Sequence, residues 1–119
     1  MQIQFPTNIN GKLNCDAFVH ITYAPTRKLE RQVVDRTLVT ITTADNSGPV
    51  KQWRIYDIGI VAMYYVADAD AFASHGCTKM QLLQKLFPDI PFEEAINKQV
   101  AIYYYVNQEL AANFRLPTI

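Results

Sequence analysis

The stretch from residue 53 to residue 88 constrains the fold more than any other part of the chain. It begins as an apolar, strand-like segment (WRIYDIGIVAMYYV), crosses an Ala- and Asp-rich turn, and ends in an amphipathic segment (CTKMQLLQKLFP). Thr78 and Gln81 have the spacing of a capping box, in which each side chain pairs with a free backbone N–H group of the other residue. Pro88 cannot continue a helix. The sequence therefore predicts a long strand that leads into a capped helix.

The turn within this stretch carries further local predictions. Gly59 is the expected place for a bulge or bend, because a strand of this length rarely runs straight. Asp68 and Asp70 are each suited to capping a short helix, since a carboxylate accepts the free N–H groups of a first turn. Gly76 is expected to end that helix, because glycine adopts the left-handed conformation without steric cost.

Alternating apolar and polar residues predict strands on both sides of the stretch. The segments are QIQF (residues 2–5), AFVHITY (17–23), TLVTITT (37–43) and VAIYYYV (100–106). The turn at residues 45–49 (DNSGP) joins strand 37–43 to residues 50–56 as a hairpin. Pro91 is expected to start one more short helix. A continuous helix over residues 92–113 stays open as an alternative to the last strand, since periodicity separates the two poorly over a short run.

Composition limits the class of protein. A chain of 119 residues predicts a single domain over residues 1–119. The 11 Lys and Arg residues balance the 11 Asp and Glu residues, so strong non-specific binding to nucleic acid is not expected. No apolar run reaches the roughly 18–20 residues of a membrane span. With two cysteines and no signal-peptide pattern at its start, the chain is expected to be cytoplasmic.

Together these elements predict an α+β fold. The expected architecture is a small, partly closed β-barrel of five to six mostly antiparallel strands, with two to three helices packed on one side.

Three stretches resemble the PUA-like superfamily, and most of all its ASCH branch. They are GKLNCDAFVHIT (residues 11–22), NSGPVKQWRIYDI (46–58) and DAFASHGCTKMQLLQKLFP (70–88). The resemblance implies a small β-barrel and a role in binding nucleic acid. Gly11 and Lys12 are adjacent, whereas the family has one residue between glycine and lysine, and Ala17 stands where the family has arginine. The family's catalytic residues are therefore not carried over to this chain.

Two groups of residues are candidates for function. Lys51 and Arg54 flank Trp53, and Arg36 precedes the hairpin, so these residues are predicted to contact nucleic acid through stacking and charge. Asp57 lies within an apolar strand, where a buried carboxylate requires a partner or a shifted pKa. A salt bridge to an arginine and a functional carboxylate are both open interpretations of Asp57.

The leading functional hypothesis is a non-enzymatic binding domain for RNA or another nucleic acid. One alternative is a protein-interaction module, acting as a homodimer or as a small accessory or regulatory protein of a phage or mobile element. Another is a small hydrolase acting on a modified nucleoside, with Asp57 or Asp70 as the acid/base group. Neither a metal nor a cofactor is predicted, because the spacing of the cysteines and histidines is not that of zinc sites.

Overall fold

The computed structural model describes residues 2–23 and 38–109 of the chain. Its five strands are β1 (Gln2–Phe5), β2 (Ala17–Tyr23), β3 (Leu38–Thr43), β4 (Lys51–Ala62) and β5 (Gln99–Asn107). Its α-helices are α1 (Asp68–His75), α2 (Lys79–Leu86) and α3 (Phe92–Ala95). Short 3-10 turns occupy Ile9–Asn14 and Met63–Tyr65. The polar segment around Arg36 lies outside the described residues.

The strands form one mixed sheet in the order β1-β3-β4-β5-β2. β1 pairs with β3 in parallel, and the other neighbouring strands pair antiparallel. The predicted α+β fold is confirmed, with the sheet left open between its two edge strands, β1 and β2. No helix in the described part of the chain is long and apolar enough to cross a membrane.

Two strand predictions are confirmed by the pairing register. β3 and β4 form the predicted hairpin, with Val39 opposite Trp53 and Ile41 opposite Lys51. The last apolar segment is strand β5, which lies between β4 and β2 in the sheet. The alternative of a continuous helix from residue 92 is therefore wrong over the described residues, because the β-branched and tyrosine side chains of this run pack on both faces of the sheet.

The bulge of the long strand is not at Gly59, as predicted, but between Ile55 and Asp57. Ile55 and Ile58 belong to the same apolar cluster although they are three residues apart. Since side chains alternate between faces with a period of two, one extra residue is required between them. Gly59 pairs regularly with Ile102 in the ladder with β5.

The helix ends follow the predicted local chemistry with one exception. Gly76 ends α1 at a φ of 67°, and the Thr78 side chain accepts from Gln81 N–H in a complete capping box. The N-cap of α1, however, is Ala67, without a side-chain hydrogen bond, so the predicted capping of α1 by aspartate is wrong. Asp68 Oδ1 instead accepts from Lys79 N–H at the start of α2, 2.9 Å away.

Two apolar cores lie on the two sides of β5. The first core is built mainly from side chains of the five strands, and the second lies between the sheet and the helices. Residues 101, 103 and 105 of β5 contribute to the first core, and residues 100 and 102 contribute to the second. Because both faces of β5 are covered, this strand reads as a continuous apolar run.

We expect Thr78→Ala to lower the free energy of unfolding by about 1 kcal/mol, because the first turn of α2 loses its cap. Urea denaturation followed by circular dichroism measures this change. Gln84→Ala is the matched control, since Gln84 is an exposed residue of the same helix and its side chain makes no hydrogen bond within the described residues. Equal stability of the two variants would show that the capping box contributes nothing measurable.

Candidate functional site

A cleft of about 420 Å³ lies where the sheet is left open between β1 and β2. We call it the seam cleft. It is lined by Ile3, Gln4, Phe5, Pro6, Ile9, His20, Ile21, Thr22, Ile55, His75, Leu86, Tyr103 and Tyr105. β1 and β2 form the two walls, while β4 and β5 contribute the floor. The ends of α1 and α2 add His75 and Leu86.

Stacked rings connect the walls of the seam cleft. The rings of Phe5 and His20 are 4.5 Å apart between centroids, with an interplanar angle of 22°. His20 also stacks on His75 of α1, at 5.2 Å and 27°. The His20 ring therefore has an aromatic neighbour from β1 and another from α1. Side-chain contacts of this kind join β1 to β2 where hydrogen bonds between the strands are missing.

The buried side chain of Lys12 contacts the stacked rings of Phe5 and His20. Positive φ angles at Asn10 (61°) and Gly11 (65°) turn the chain sharply just before Lys12, which is 3% exposed. Lys12 Nζ lies 2.6 Å from His20 Nδ1 and donates to the backbone oxygen of Ser74 at 2.7 Å. The Nζ atom is also 5.2 Å from the centroid of the Phe5 ring, within the range of a cation–π contact.

Ser74 connects helix α1 to both strand β2 and His75. Its Oγ accepts from Ile21 N–H at 2.7 Å and lies 2.7 Å from His75 Nδ1. The hydroxyl is able to donate its proton to His75 Nδ1 or to accept from Nδ1–H, according to the tautomer of the histidine. Ser74 is fully buried, and the hydrogen bond from Ile21 N–H fixes the end of α1 against the free edge of β2.

Burial controls the charges of the three titratable side chains. Desolvation, with a smaller contribution from the charge of Lys12, lowers the pKa of His20 to about 2. The same causes, in the same order, lower the pKa of His75 to about 4. Desolvation lowers the pKa of Lys12 to about 8. At neutral pH both imidazoles are therefore uncharged, while Lys12 is mostly an ammonium ion.

The hydrogen bonds assign the proton on the imidazole ring of His20. An ammonium group donates and cannot accept, so His20 Nδ1 is the acceptor and the ring proton lies on Nε2. His75 Nδ1 instead faces the Ser74 hydroxyl, which is able to pair with either tautomer of that ring. Trp53 Nε1 is the one buried side-chain polar atom without a partner in the described part of the chain. The unpaired Nε2 atoms of the two histidines are therefore accessible to solvent.

The seam cleft offers hydrogen bonds without charge. None of the lining residues described here is Lys, Arg, Asp or Glu. Burial raises the pKa of Tyr103, and burial together with Tyr103 raises that of Tyr105, so both phenols stay neutral. The cleft thus combines apolar and aromatic walls with N–H and O–H groups. Such a surface suits an uncharged, planar ligand that carries hydrogen-bond acceptors.

The predicted nucleic-acid contacts do not form one surface. Trp53 is 0% exposed and packs edge-on against Phe18, so the prediction that it would be a surface contact is wrong. Its face of β4 is the core face, because Val39 lies opposite it. Lys51 lies on that same face with Nζ 5.9 Å from the indole centroid, whereas Arg54 is on the other face and donates to Gln108. The position of Arg36 lies outside the described residues.

The candidate carboxylates lie away from the seam cleft. Asp57 is exposed, and its Oδ1 accepts from the N–H of Ile58 at 2.8 Å, so the prediction of a buried strand carboxylate is wrong. The bulge after Ile55 turns Asp57 away from the core that Ile58 contacts. Asp70 lies in the first turn of α1 and is not among the residues that line the cleft. The structure thus gives neither aspartate a place in this site.

The sequence pattern accounts for only part of the site. The alternation of residues 17–23 places His20 on one face of a strand together with Phe18. Lys12 and Ser74 carried no local signal, because they are 62 residues apart in sequence and meet only in the folded chain. The Asn-Gly turn before Lys12 was visible, but it does not reveal that the lysine turns inward.

Metal binding has no support in the described residues, which contain no group of three or more His, Cys, Asp or Glu side chains able to hold an ion. Cys15 is exposed and Cys77 is buried among the apolar side chains of the second core.

Comparison with known proteins finds a solved structure with a similar fold. No protein-family model and no curated protein matches this chain. The crystal structure of protein EF3133 from Enterococcus faecalis V583, described by the family model DUF984, is similar with a TM-score of 0.52. The match covers 92% of this chain and 76% of that chain, at 15% sequence identity. That family has the PUA-like, ASCH-type fold, so the resemblance in the sequence is supported at the level of the fold.

Lys12 should give the protein a distinctive pH dependence. Its pKa is about 8 in the folded chain and near 10.5 otherwise, so the unfolded state binds more protons between these values. The cost of burying the ammonium is complete below pH 8 and disappears as the pH rises through the unfolded pKa. Relative to Lys12→Met, the free energy of unfolding of the wild type should therefore rise by up to about 1.4 kcal/mol per pH unit in this window.

Urea denaturation at several pH values measures this difference, and Lys85→Met, a change at an exposed lysine of α2, is the control. Parallel pH profiles of the wild type and Lys12→Met would contradict the burial of a charged lysine.

Proposed function

We propose that this protein is a small binding domain whose seam cleft holds one uncharged planar ring of the kind that a nucleobase presents. The base would belong either to a free nucleoside or to an unpaired position of RNA or DNA. The observation that carries the proposal is the uncharged, aromatic lining of the cleft together with the unpaired Nε2 atoms of His20 and His75. A nucleobase matches such a lining because it is flat, neutral and rich in acceptors.

The size of the cleft fits this ligand. Small-molecule sites have volumes of roughly 300–1,000 Å³, with apolar walls and a few placed polar groups. At about 420 Å³, the seam cleft is at the lower end of this range, as expected for one ring system. His20 is covered on its faces by Phe5 and His75, so it would contact a ligand through its Nε2 edge. A base would thus be recognised by hydrogen bonds to its edge.

The fold gives this proposal an independent but weaker support. The PUA-like resemblance implies nucleic-acid binding, although a fold by itself does not determine a function. If the base is part of a strand, basic residues outside the cleft would contact phosphates, and Lys51 and Arg54 are the proposed contacts. Because they lie on opposite faces of β4, one strand near the sheet would contact one of them rather than both.

Filling the cleft tests this proposal. Gln4→Trp places a large ring at an exposed position that lines the cleft, so it should weaken nucleoside binding at least tenfold by steric exclusion. Gln2→Trp is the matched control, because Gln2 is exposed on the same face of the same strand but does not line the cleft. Titration calorimetry with adenosine, guanosine, cytidine and uridine measures the affinities.

The salt dependence distinguishes the two sources of the base. A free nucleoside should bind with an affinity that hardly changes with salt, because no charged side chain of residues 2–23 or 38–109 lines the cleft. A short single strand should bind more tightly at low salt and lose affinity as salt rises, with a slope set by its phosphate contacts. The proposal fails if neither nucleosides nor single strands bind the wild type, or if Gln4→Trp and Gln2→Trp bind them equally well.

A protein-interaction role is a second candidate, favoured by one observation. Tyr64 and Tyr65 are 62% and 75% exposed and lie edge-to-face at 5.2 Å. Exposed tyrosine pairs are frequent anchors of protein interfaces. If they anchor a homodimer, Tyr65→Ser should raise the dimer dissociation constant about tenfold in sedimentation equilibrium. Tyr104→Ser, at an exposed tyrosine of β5, serves as the control, and a wild type that stays monomeric removes the homodimer form of this candidate.

A further inference from the structure

We propose that Lys12 determines which hydrogen-bonding pattern the seam cleft presents. By donating to Nδ1 of His20, it keeps the proton of that imidazole on Nε2, so the cleft offers a donor there and selects ligands that carry an acceptor. Lys12 is thus a positioning residue that acts through His20. The selection of ligands rests on the proposed function, whereas the control of the tautomer stands without it.

The geometry leaves the Lys12–His20 pair no alternative while the lysine is charged. An ammonium group has three donors and no acceptor, so His20 Nδ1 cannot carry a proton at a separation of 2.6 Å. The amine cannot move away to solvent, because Lys12 is 3% exposed and its second hydrogen bond goes to the backbone oxygen of Ser74. Ser74 lies in the last turn of α1, where unpaired carbonyl groups favour a positive charge.

His75 provides a comparison within the same site. Its Nδ1 faces the hydroxyl of Ser74, and a hydroxyl group is able to donate or to accept. Rotation of the hydroxyl reverses the direction of this hydrogen bond and therefore permits the other tautomer of His75. The partner of His20 has no such freedom. Lys12 should consequently control the tautomer of His20 and leave that of His75 unchanged.

Within the part of the chain that the structure describes, few other charges surround the pair. The titratable groups that face it are His75 on α1, Lys85 on α2, whose charge acts on His75, and Tyr103 on β5, opposite His20 in the register. β1 contributes only uncharged side chains.

Desolvation lowers the pKa of Lys12 to about 8, so above this pH the amine is neutral and gains a lone pair. The neutral amine is able to accept from His20 Nδ1–H, and the constraint on the tautomer should relax.

The first experiment measures the tautomer directly. Long-range proton–nitrogen correlation spectra of isotopically labelled full-length protein separate Nδ1–H from Nε2–H imidazoles. The wild type should show His20 almost entirely as the Nε2–H form at about pH 7, and a mixture of forms at about pH 9.5. Lys12→Met should show the mixture at both pH values, with His75 unchanged. Lys12→Arg, a donor that stays charged at every pH used, should restore the Nε2–H form at both.

The second experiment measures selection by the ligand. Adenosine is compared with its 1-deaza, 3-deaza and 7-deaza analogues, each of which lacks one ring-nitrogen acceptor. One analogue should bind the wild type about tenfold more weakly than adenosine does, the loss expected for one hydrogen bond in a desolvated site. In Lys12→Met this difference should shrink to about twofold, because the other tautomer of His20 offers no donor to the ligand.

Each outcome decides a separate claim. A wild-type His20 that is Nδ1–H or mixed at neutral pH overturns the inference, as does an unchanged tautomer in Lys12→Met. If adenosine and all three analogues bind equally well, the claim that the cleft selects ligands with an acceptor is wrong. If no nucleoside binds, the proposed function fails, and the tautomer spectra alone decide the role of Lys12. The pH titration of the wild type gives this answer even if the Lys12 variants do not fold.

Discussion

The open edge between β1 and β2 is the constraint on which the rest of the molecule depends. A small sheet that curls without closing leaves two strands with unpaired backbone groups facing each other. Here the stacked rings of Phe5 and His20 join the two edges, and Ser74 accepts the free N–H of Ile21. Helix α1 therefore provides a hydrogen-bond acceptor for the edge of β2 that no neighbouring strand provides. The space that remains between the edges is the seam cleft.

The charge of Lys12 follows from this arrangement. An ammonium group buried without a carboxylate is costly, and its lowered pKa expresses that cost. What holds it is a set of neutral groups: one imidazole nitrogen, one carbonyl at the end of α1, and the faces of Phe5 and Phe18. An apolar residue at this position would remove the cost of burying a charge but would leave His20 Nδ1 and the Ser74 carbonyl oxygen without their partner. Lys12 thus belongs to a hydrogen-bonded network beside the cleft as well as to the packing of the core.

Features set by close neighbours in the sequence were predictable. The capping box at Thr78, the left-handed Gly76 and the hairpin between β3 and β4 depend on residues within one turn or one loop, and all three are as predicted. The position of the bulge was not predictable, because it depends on which core Ile55 and Ile58 contact. The bulge was predicted at Gly59 because glycine is flexible. The packing of Ile55 and Ile58 instead determines where the register shifts.

The candidate site shows the same division. The predictions for Trp53 and Asp57 rested on residue type, and both were the reverse of what the structure shows. The indole of Trp53 is buried in the core, and the carboxylate of Asp57 is exposed to solvent. Which face of a strand is buried depends on the strands beside it, and in this strand a bulge inverts the alternation halfway. The pair of Lys12 and Ser74 depends on a turn of positive φ and on a helix far along the chain.

The pKa values of the histidines bear on the kind of chemistry that the cleft supports. A general base works best when its pKa lies near the working pH, and values of about 2 for His20 and about 4 for His75 are far below neutrality. At neutral pH both rings are therefore uncharged and carry a single N–H proton. The lysine that fixes His20 is itself shielded from the cleft by the Phe5 and His20 rings, so it is poorly placed as a nucleophile. Neutral hydrogen-bonding groups on an apolar wall are what the proposed recognition of an uncharged ligand requires.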